Sequence, residues 1–471
     1  MAAIYFFNTL HKKKEKFIPI HKKTVGLYTC GPTVYNYAHI GNLKTFIFED
    51  ILQRTLEWNK YKVKRVMNIT DVGHLTSDAD EGEDKIEKTA LIQKQSPEQI
   101  AKFFTLAFLK DIKLLNIKKP QYLAPATKYI KQQINIIKIL IAKGYAYETS
   151  QAIYFNVKKF KNYNKLSHQN FIDKKIAARQ EVVFDSEKIN PQDFVLWFKL
   201  VGKFKNHIMR WLSPWGLGFP GWHIECSAIS TSILGQPFDI HTGGVDHIAI
   251  HHTNEIAQSE AAFDKPLANY WLHSEYLLIN NSKMSKSLNN FITLKTLQEK
   301  NISPLTFRYF ALTANYRAKL NFTWDTINLM QKTFEKLQQE VIKIKTLAKN
   351  QKNKVSQQNI KKYLTKFTIA INNDLNTPQA LAILWEVIKN SNLNMNEKEK
   401  IINEFDKVLG LKLADLKPLQ IPAKITKLLE QRELYRRNKQ FIQSDALRQK
   451  INDLGYDIED TPQGPWLKKT N

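Results

Sequence analysis

Two short stretches carry residue types suited to holding and stabilising phosphate, and they lie far apart in the chain. The first is His39-Ile40-Gly41-Asn42, an imidazole, a spacer, a residue without a side chain and an amide. If it opens a helix, the free backbone amides and the helix dipole attract phosphate. Gly41 lets a flat ring or ribose approach the backbone, and His39 and Asn42 can donate hydrogen bonds to phosphate or sugar oxygens. The second stretch is Lys283-Met284-Ser285-Lys286-Ser287, flanked by asparagines at 280, 281, 289 and 290. Two lysines separated by small hydroxyl residues form a loop that can set positive charge against a departing pyrophosphate, where charge builds in a nucleotidyl-transfer transition state. An ordinary helix start and a solvated lysine loop are the bland readings. The two stretches together, in this order, argue against both.

Elements must position these residues. Val25 and Leu27 alternate with small or polar residues and end at Gly31-Pro32, a short strand stopped by a turn. Leu43, Phe46, Ile47 and Glu49 to Leu52 then fall at helical spacing, and Val63 to Thr70 is again β-rich. Strand, turn, helix and strand make one βαβ unit, with His39 where the first strand feeds the helix. Met67 to Asp71 ends the second strand, where polar side chains face a ligand crevice.

A second constellation draws on residues that metals accept. Cys226 lies a short way into an expected helix, and His251 and Glu255 are four apart on another, which puts imidazole and carboxylate on one helical face. Cys30 joins them from the first half. Two thiolates, one imidazole and one carboxylate are a donor set that Zn²⁺ takes in tetrahedral sites. With no Cys-x-x-Cys pair in the chain, spacing alone leaves two buried, inert cysteines as the alternative.

The two phosphate stretches resemble the paired signatures of class I aminoacyl-tRNA synthetases, and the chain is similar along nearly its whole length to the cysteinyl-tRNA synthetases. The resemblance is carried by Tyr28 to Asn42, Gly221-Trp222-His223-Ile224-Glu225-Cys226-Ser227, His251 to Gln258, the lysine loop, and Ser444-Asp445-Ala446-Leu447-Arg448. It implies one Zn²⁺ per chain on Cys30, Cys226, His251 and Glu255, binding the thiolate of substrate cysteine. Four protein ligands describe a closed site, so the substrate would add a fifth ligand or displace the weakest, Glu255.

The resemblance further implies an ATP site at His39, Gly41, Asn42 and Lys283 to Ser287, with His39, Asn42, Lys283 and Lys286 serving catalysis and Mg²⁺ arriving with ATP. Thr70, Trp222, Asp246 and His241 fall at positions around the amino-acid substrate. Asp246 would accept from its ammonium and Trp222 would wall its side chain, while capping and core packing are their structural alternatives. His223 and His252 stay open between site and core, as does Trp271 between adenine and core. The family more often has a short Asp-Asp-Lys turn where this chain runs from Val72 to Lys85 with Asp78, Asp80, Glu81, Glu83 and Asp84. That acidic stretch reads as a solvated loop rather than a cation site.

The bulk numbers set outer bounds. At 471 residues the chain calls for two to four domains. A formal net charge of +26 suits a polyanionic partner, although part of it follows from a composition rich in lysine, asparagine and isoleucine. Two cysteines exclude a secreted disulfide framework and point to the cytoplasm. The N-terminus lacks a basic segment ahead of an apolar run, so it is not a signal peptide, and no stretch approaches the roughly 18 apolar residues of a membrane span.

The expected fold is α/β. A Rossmann-like parallel-sheet catalytic domain (1–115 and 206–277) is split by a connective insertion (116–205) and followed by the lysine loop and stem-contact region (278–325). A helical bundle (326–415) comes next, announced by a three-and-four stripe of Ile327, Met330, Phe334, Leu337, Val341 and Ile344. After a linker at Pro418 to Pro422, residues 416–471 form a small anticodon-binding domain, in which the resemblance places Arg436, Phe441, Asp445 and Asp460 against anticodon bases. The expected partners are ATP, L-cysteine and tRNA(Cys), with the chain a monomer. Two rivals share the motifs: a ligase joining cysteine to an amino sugar, as in the mycothiol pathway, and a non-catalytic, zinc-stabilised RNA-binding relative. The amino-sugar ligases end after the helical region, so the segment Leu434 to Trp466 argues for tRNA, and two intact nucleotide signatures argue against a non-catalytic role.

Overall fold

A computed structural model of the chain describes residues 2–77, 81–169, 185–284, 290–350, 354–461 and 464–469. Five strands form a wholly parallel sheet: β1 (Thr24–Thr29), β2 (Lys62–Ile69), β3 (Tyr122–Pro125), β4 (Phe238–Gly244) and β5 (Ala268–Ser274). Their spatial order is β5-β4-β1-β2-β3. Such a sheet is covered on both faces, so its strands are apolar without alternation, as the complete burial of Val25, Leu27, Val66, Ile240 and Leu272 shows. The fold is α/β, and chain order reverses between β1 and β4, where open parallel sheets hold their ligands.

Helix α1 (Ile40–Trp58) connects β1 to β2, as the apolar spacing predicts. It starts where it does because His39 Nδ1 accepts from Asn42 N (3.1 Å) while Asn42 Oδ1 accepts from His39 N (3.3 Å), a reciprocal capping box. Farther along α1, Asp50 is fully buried and takes Arg54 Nε at 2.7 Å, Arg308 Nη2 at 2.6 Å and the Lys118 amide at 2.8 Å. Burial opposes its charge, but Arg308 and Arg54 hold its carboxyl below the ordinary value. The stability this adds is present above the unfolded carboxylate range and is lost only as pH falls through that lowered value. Asp50→Ala strands two buried guanidinium groups and is expected to cost about 3–5 kcal/mol, read as a lower urea midpoint.

Between the sheet halves lies a five-stranded antiparallel sheet, ordered Trp211–Ser213, Gly216–Pro220, Phe194–Lys199, Ala152–Phe155 and Ala146–Glu148. Its hydrogen bonding continues to Pro220, past residue 205, where the sequence suggests the insertion ends. Ile153, Phe155, Leu196 and Trp197 are completely buried and pack with helix Ile130–Ala142 and with helices α2 (Trp222–Leu234) and α3 (His251–Phe263).

The chain divides into two compact units, the first comprising 1–331, 367–381 and 407–411, the second 332–366, 382–406 and 412–471. The second holds most of helices Trp324–Asn350 and Met395–Leu409 and parts of Gln357–Asn372 and Thr377–Lys389. In the stripe, Phe334, Leu337, Val341 and Ile344 are buried and Met330 is half-buried. Toward the C-terminus, helices Ala423–Arg437 and Phe441–Asp453 close with a hairpin of Tyr456–Thr461 and Gly464–Lys469 around Ile425, Ile451, Ile458 and Leu467.

Among the described residues no helix is long and apolar enough to cross a membrane.

Candidate active site

The point where chain order reverses is where the metal-type residues converge. Cys30 follows the last residue of β1, Cys226 lies in the second turn of α2, and α3 presents His251, His252 and Glu255. All five are buried. The ligand atoms of Cys30, Cys226, His251 and Glu255 lie within 4.8 Å of one another, as do those of Cys30, His241, His252 and Glu255. Cys226 Sγ is 3.5 Å and Glu255 Oε1 2.9 Å from the same nitrogen, His251 Nε2. Cys30 Sγ is 3.2 Å from His252 Nε2.

The surrounding groups fix these donors. His241 Nε2 meets Glu255 Oε2 at 2.8 Å and turns the other oxygen inward, where Oε1 faces His251 Nε2 at 2.9 Å. His223 Nδ1 is 3.0 Å from His251 Nδ1, so Nε2 is the nitrogen facing the cluster. His252 Nδ1 is 2.8 Å from His273 Nε2, whose Nδ1 is 2.8 Å from Thr9 Oγ1. Such partners hold ligand rings in one orientation.

Charge follows from these contacts. Burial alone would raise Glu255, yet the imidazoles of His241 and His251 bring it down to about 2. Burial opposes a charged His251, but Glu255 and Cys30 raise it to about 10. Of the two thiols, Cys30 is pulled well below its ordinary value against burial, by Cys226 and His252, while burial and the neighbouring Cys30 push Cys226 well above it. A buried carboxylate, two thiols, one of them eased toward ionisation, and an imidazole nitrogen gathered within 4.8 Å of one another are donors that fit a soft divalent cation such as Zn²⁺.

Above the cluster opens a cavity of about 330 Å³ lined by Cys30 and His251 at its floor and by His39 and Asn42 at its rim. Thr70, Trp222 and Asp246 line it as well. Gly31 and Gly243 shape the floor. A Cβ on Gly31 would fall 1.8 Å from the Asn68 carbonyl oxygen, and one on Gly243 2.7 Å from both His247 Nδ1 and His252 Cε1. His241 does not reach the cavity; it is fully buried behind Glu255 and stacked at 4.4 Å on Trp271, itself 1% exposed in the core.

His39 is half-buried, and burial lowers it to about 4. The ring is neutral, its Nδ1 accepts the Asn42 amide, and its proton therefore sits on Nε2 as a donor. Ile40 N donates to Ile292 O at 2.9 Å, and Phe291 meets the His39 ring edge-on at 5.4 Å, so the segment following the lysine loop returns to the start of α1. Lys283 is exposed, with Nζ 4.5 Å from the centre of the Tyr276 ring. Met284 is half-buried, its methyl 4.0 Å from where a Cβ on Gly41 would stand. Ser285, Lys286 and Ser287 lie outside the described residues.

Two residues at the site carry little or no sequence signal: His74, which lines the cavity, and Glu225, which is buried against Thr70. His74 stacks on Trp222 at 4.0 Å and 8°, and Trp222 stacks on His251 at 4.2 Å. Glu225 is buried, its Oε1 accepting from Asn68 Nδ2 at 2.9 Å and from the Thr70 hydroxyl. Burial raises it to about 8, which makes it a neutral acid at pH 7. Its place in the stretch around Cys226 was the one available clue. In the acidic stretch, Asp84 caps helix Lys85–Gln93 through the amides of Ile86 (2.8 Å) and Glu87 (3.1 Å), while Asp78 and Asp80 lie outside the described residues.

In the C-terminal part, Asp460 receives Arg432 bidentately at 2.8 and 2.9 Å and Arg436 at 2.5 Å. Phe441 is 61% exposed, and Asp445 is exposed on the same helix.

Residues 16–332 match the family described as tRNA synthetases class I (C) catalytic domain, and residues 366–415 match the DALR domain. The cysteine–tRNA ligase of Treponema denticola is 42% identical over 484 residues, covering 97% of this chain and 98% of that protein. The cysteine–tRNA ligase of Chlorobaculum tepidum is 40% identical over 494 residues, with 100% of both chains covered. Among solved structures, Mycobacterium tuberculosis methionyl-tRNA synthetase in complex with methionyl-adenylate shares the fold, with a TM-score of 0.60 at 13% identity over 84% of this chain and 93% of that one.

Proposed function

The chain belongs to the cysteinyl-tRNA synthetase family of class I ligases, and from that premise we propose that it activates L-cysteine with ATP and transfers it to the 3′-terminal ribose of tRNA(Cys). The observation that carries this reading is the single cavity joining the His39–Asn42 helix start to the buried cluster of Cys30, Cys226, His251 and Glu255. A nucleotide held at the rim meets a thiol-bearing amino acid held at the floor. In the first step a carboxylate oxygen of cysteine attacks the α-phosphorus of ATP, and the bond to the bridging oxygen breaks, releasing pyrophosphate. In the second, a ribose hydroxyl attacks the acyl carbon and AMP departs.

The residues divide this work by position. Nε2–H of His39 and the amide of Asn42 donate to phosphate or ribose oxygens, beside the helix N-terminus. Lys283 and Lys286 neutralise the departing pyrophosphate, and Mg²⁺ enters with ATP. Asp246 accepts from the substrate ammonium, Thr70 lies at the cavity wall, and Trp222 closes the space around the small side chain. No side chain becomes covalently attached. Catalysis rests on placement and on fixed charge.

Cys30, Cys226, His251 and Glu255 would hold one Zn²⁺. Bound there, the ion would supply a soft Lewis acid that favours a thiolate over a hydroxyl, a distinction that shape alone makes by only a few kcal/mol. Removing it leaves the buried donors uncompensated. Treatment with a strong chelator is therefore expected to lower the thermal midpoint by several degrees, with Zn²⁺ and not Mg²⁺ restoring it. Recovery by Mg²⁺, or an unchanged midpoint in protein shown to be metal-free, contradicts the assignment.

We place the enzyme in the cytoplasm as a monomer, with Arg436, Phe441, Asp445 and Asp460 on the anticodon side of the tRNA. Cysteine-dependent exchange of pyrophosphate into ATP, followed by charging of purified tRNA(Cys), tests the reading. Exchange without charging would leave a cysteine ligase with a different acceptor.

A further inference from the structure

Helix Pro97–Leu114 satisfies its packing with one face, on which Ile100, Phe104, Phe108 and Ile112 are buried. Its solvent face nevertheless carries Phe103, 51% exposed, and Leu106, 58% exposed, one helical turn apart. The preceding helix Lys85–Gln93, which packs against it, ends in the exposed Leu91 and Ile92. Isolated apolar residues on a surface are ordinary, but these continue from the catalytic cavity. Tyr37 lines that cavity, is itself 40% exposed, and meets the Phe103 ring at 6.1 Å and 76°. Lys102 and Lys110 are exposed on the same helix face, four residues to either side of Leu106.

Aromatic faces interleaved with lysine are the surface chemistry of single-stranded nucleic acid, which stacks bases and pairs phosphates. Protein-binding surfaces are instead depleted of lysine at their centres. Any acceptor RNA must bring a terminal ribose into the cavity, so the unpaired nucleotides next to it must leave across the rim. We propose that Tyr37, Phe103 and Leu106, with Lys102 and Lys110, form a docking platform for the unpaired 3′ end of the tRNA. This inference rests on the reading of the chain as a tRNA-charging ligase.

Pyrophosphate exchange requires no RNA, and that separates the two claims. In full-length, metal-loaded protein, Phe103→Ala is expected to raise the KM for tRNA in charging about tenfold, the effect of one lost base–aromatic stack, while the exchange constants stay within about twofold of wild type. Phe103→Trp should restore the tRNA KM. Lys102→Gln combined with Lys110→Gln should raise it at low salt and converge on wild type at high salt. An unchanged tRNA KM in both the Phe103→Ala and the double lysine variants overturns the platform, including the case in which they lose a protein partner instead. Equal losses in exchange and charging by Phe103→Ala, with no rescue by tryptophan, also overturn it, since they mark a packing role. Absence of exchange in the wild-type protein strikes the ligase reading and is seen before any platform variant is made.

Discussion

Cys226→Ser is expected to lower cysteine-dependent pyrophosphate exchange by at least about a hundredfold, because loss of a residue that merely orients a metal ligand costs about 10–100-fold and Cys226 is itself a proposed ligand. The change replaces sulfur by oxygen at a fully buried position between α2 and α3, so the fold has little reason to fail. The metal content, read by atomic emission, is expected to fall with the activity. Discrimination against serine is expected to fall too. Retention of both metal and full discrimination would falsify the assignment of Cys226 to the cluster.

The second large effect belongs to His39, which has two separable jobs. Its Nδ1 caps α1, and its ring lines the cavity, where the proposed function uses Nε2–H as a donor. Asparagine is among the best N-caps, but its amide is shorter than an imidazole and ends near the cap. His39→Asn should therefore leave the thermal midpoint almost unchanged while reducing kcat for exchange about 10²–10³-fold, the usual cost of removing one fixed donor to developing charge. His39→Ala should lose the same activity and about 1 kcal/mol of stability besides. Near-wild-type exchange by His39→Asn would show that the ring serves only the helix.

Why the start of α1 was so legible follows from its local physics. A helix start needs a cap, and that need is met within four consecutive residues, His39 to Asn42. The parallel strands announce themselves as apolar runs, and the turn residues Gly31 and Pro32 stop β1 where Cys30 must stand. The cluster itself is different. Cys30, Cys226, His251 and Glu255 come from three separate places in the sequence, and only the family resemblance joined them before the fold did. His241, His252 and His273 were harder still, because a ring that orients a ligand has no spacing rule to betray it. His74 gave no signal at all; its stacking on Trp222 depends on a loop after β2 meeting the start of α2 in space.

Single elements were legible where composition changes and obscure where pairing decides. The prolines at 418 and 422 mark the approach to helix Ala423–Arg437. Strand Gly216–Pro220 sits in a stretch whose tryptophans, prolines and glycines suggest a turn-rich connection, yet it pairs with Phe194–Lys199. Cross-strand partners, not local residue types, hold it there. Asp84 shows the same limit. Within an acidic run it looks like one more solvated carboxylate, but it is 3% exposed and caps a helix.

The central claim is that substrate sulfur reaches the metal held by Cys30, Cys226, His251 and Glu255. It is tested most directly with zinc-stripped protein reconstituted with Co²⁺, followed by absorption in the thiolate-to-cobalt charge-transfer region as L-cysteine or L-serine is added. The account predicts that cysteine intensifies that band to saturation and that serine leaves it unaltered. A spectrum unmoved by saturating cysteine, in cobalt protein that still supports cysteine-dependent exchange, would contradict it.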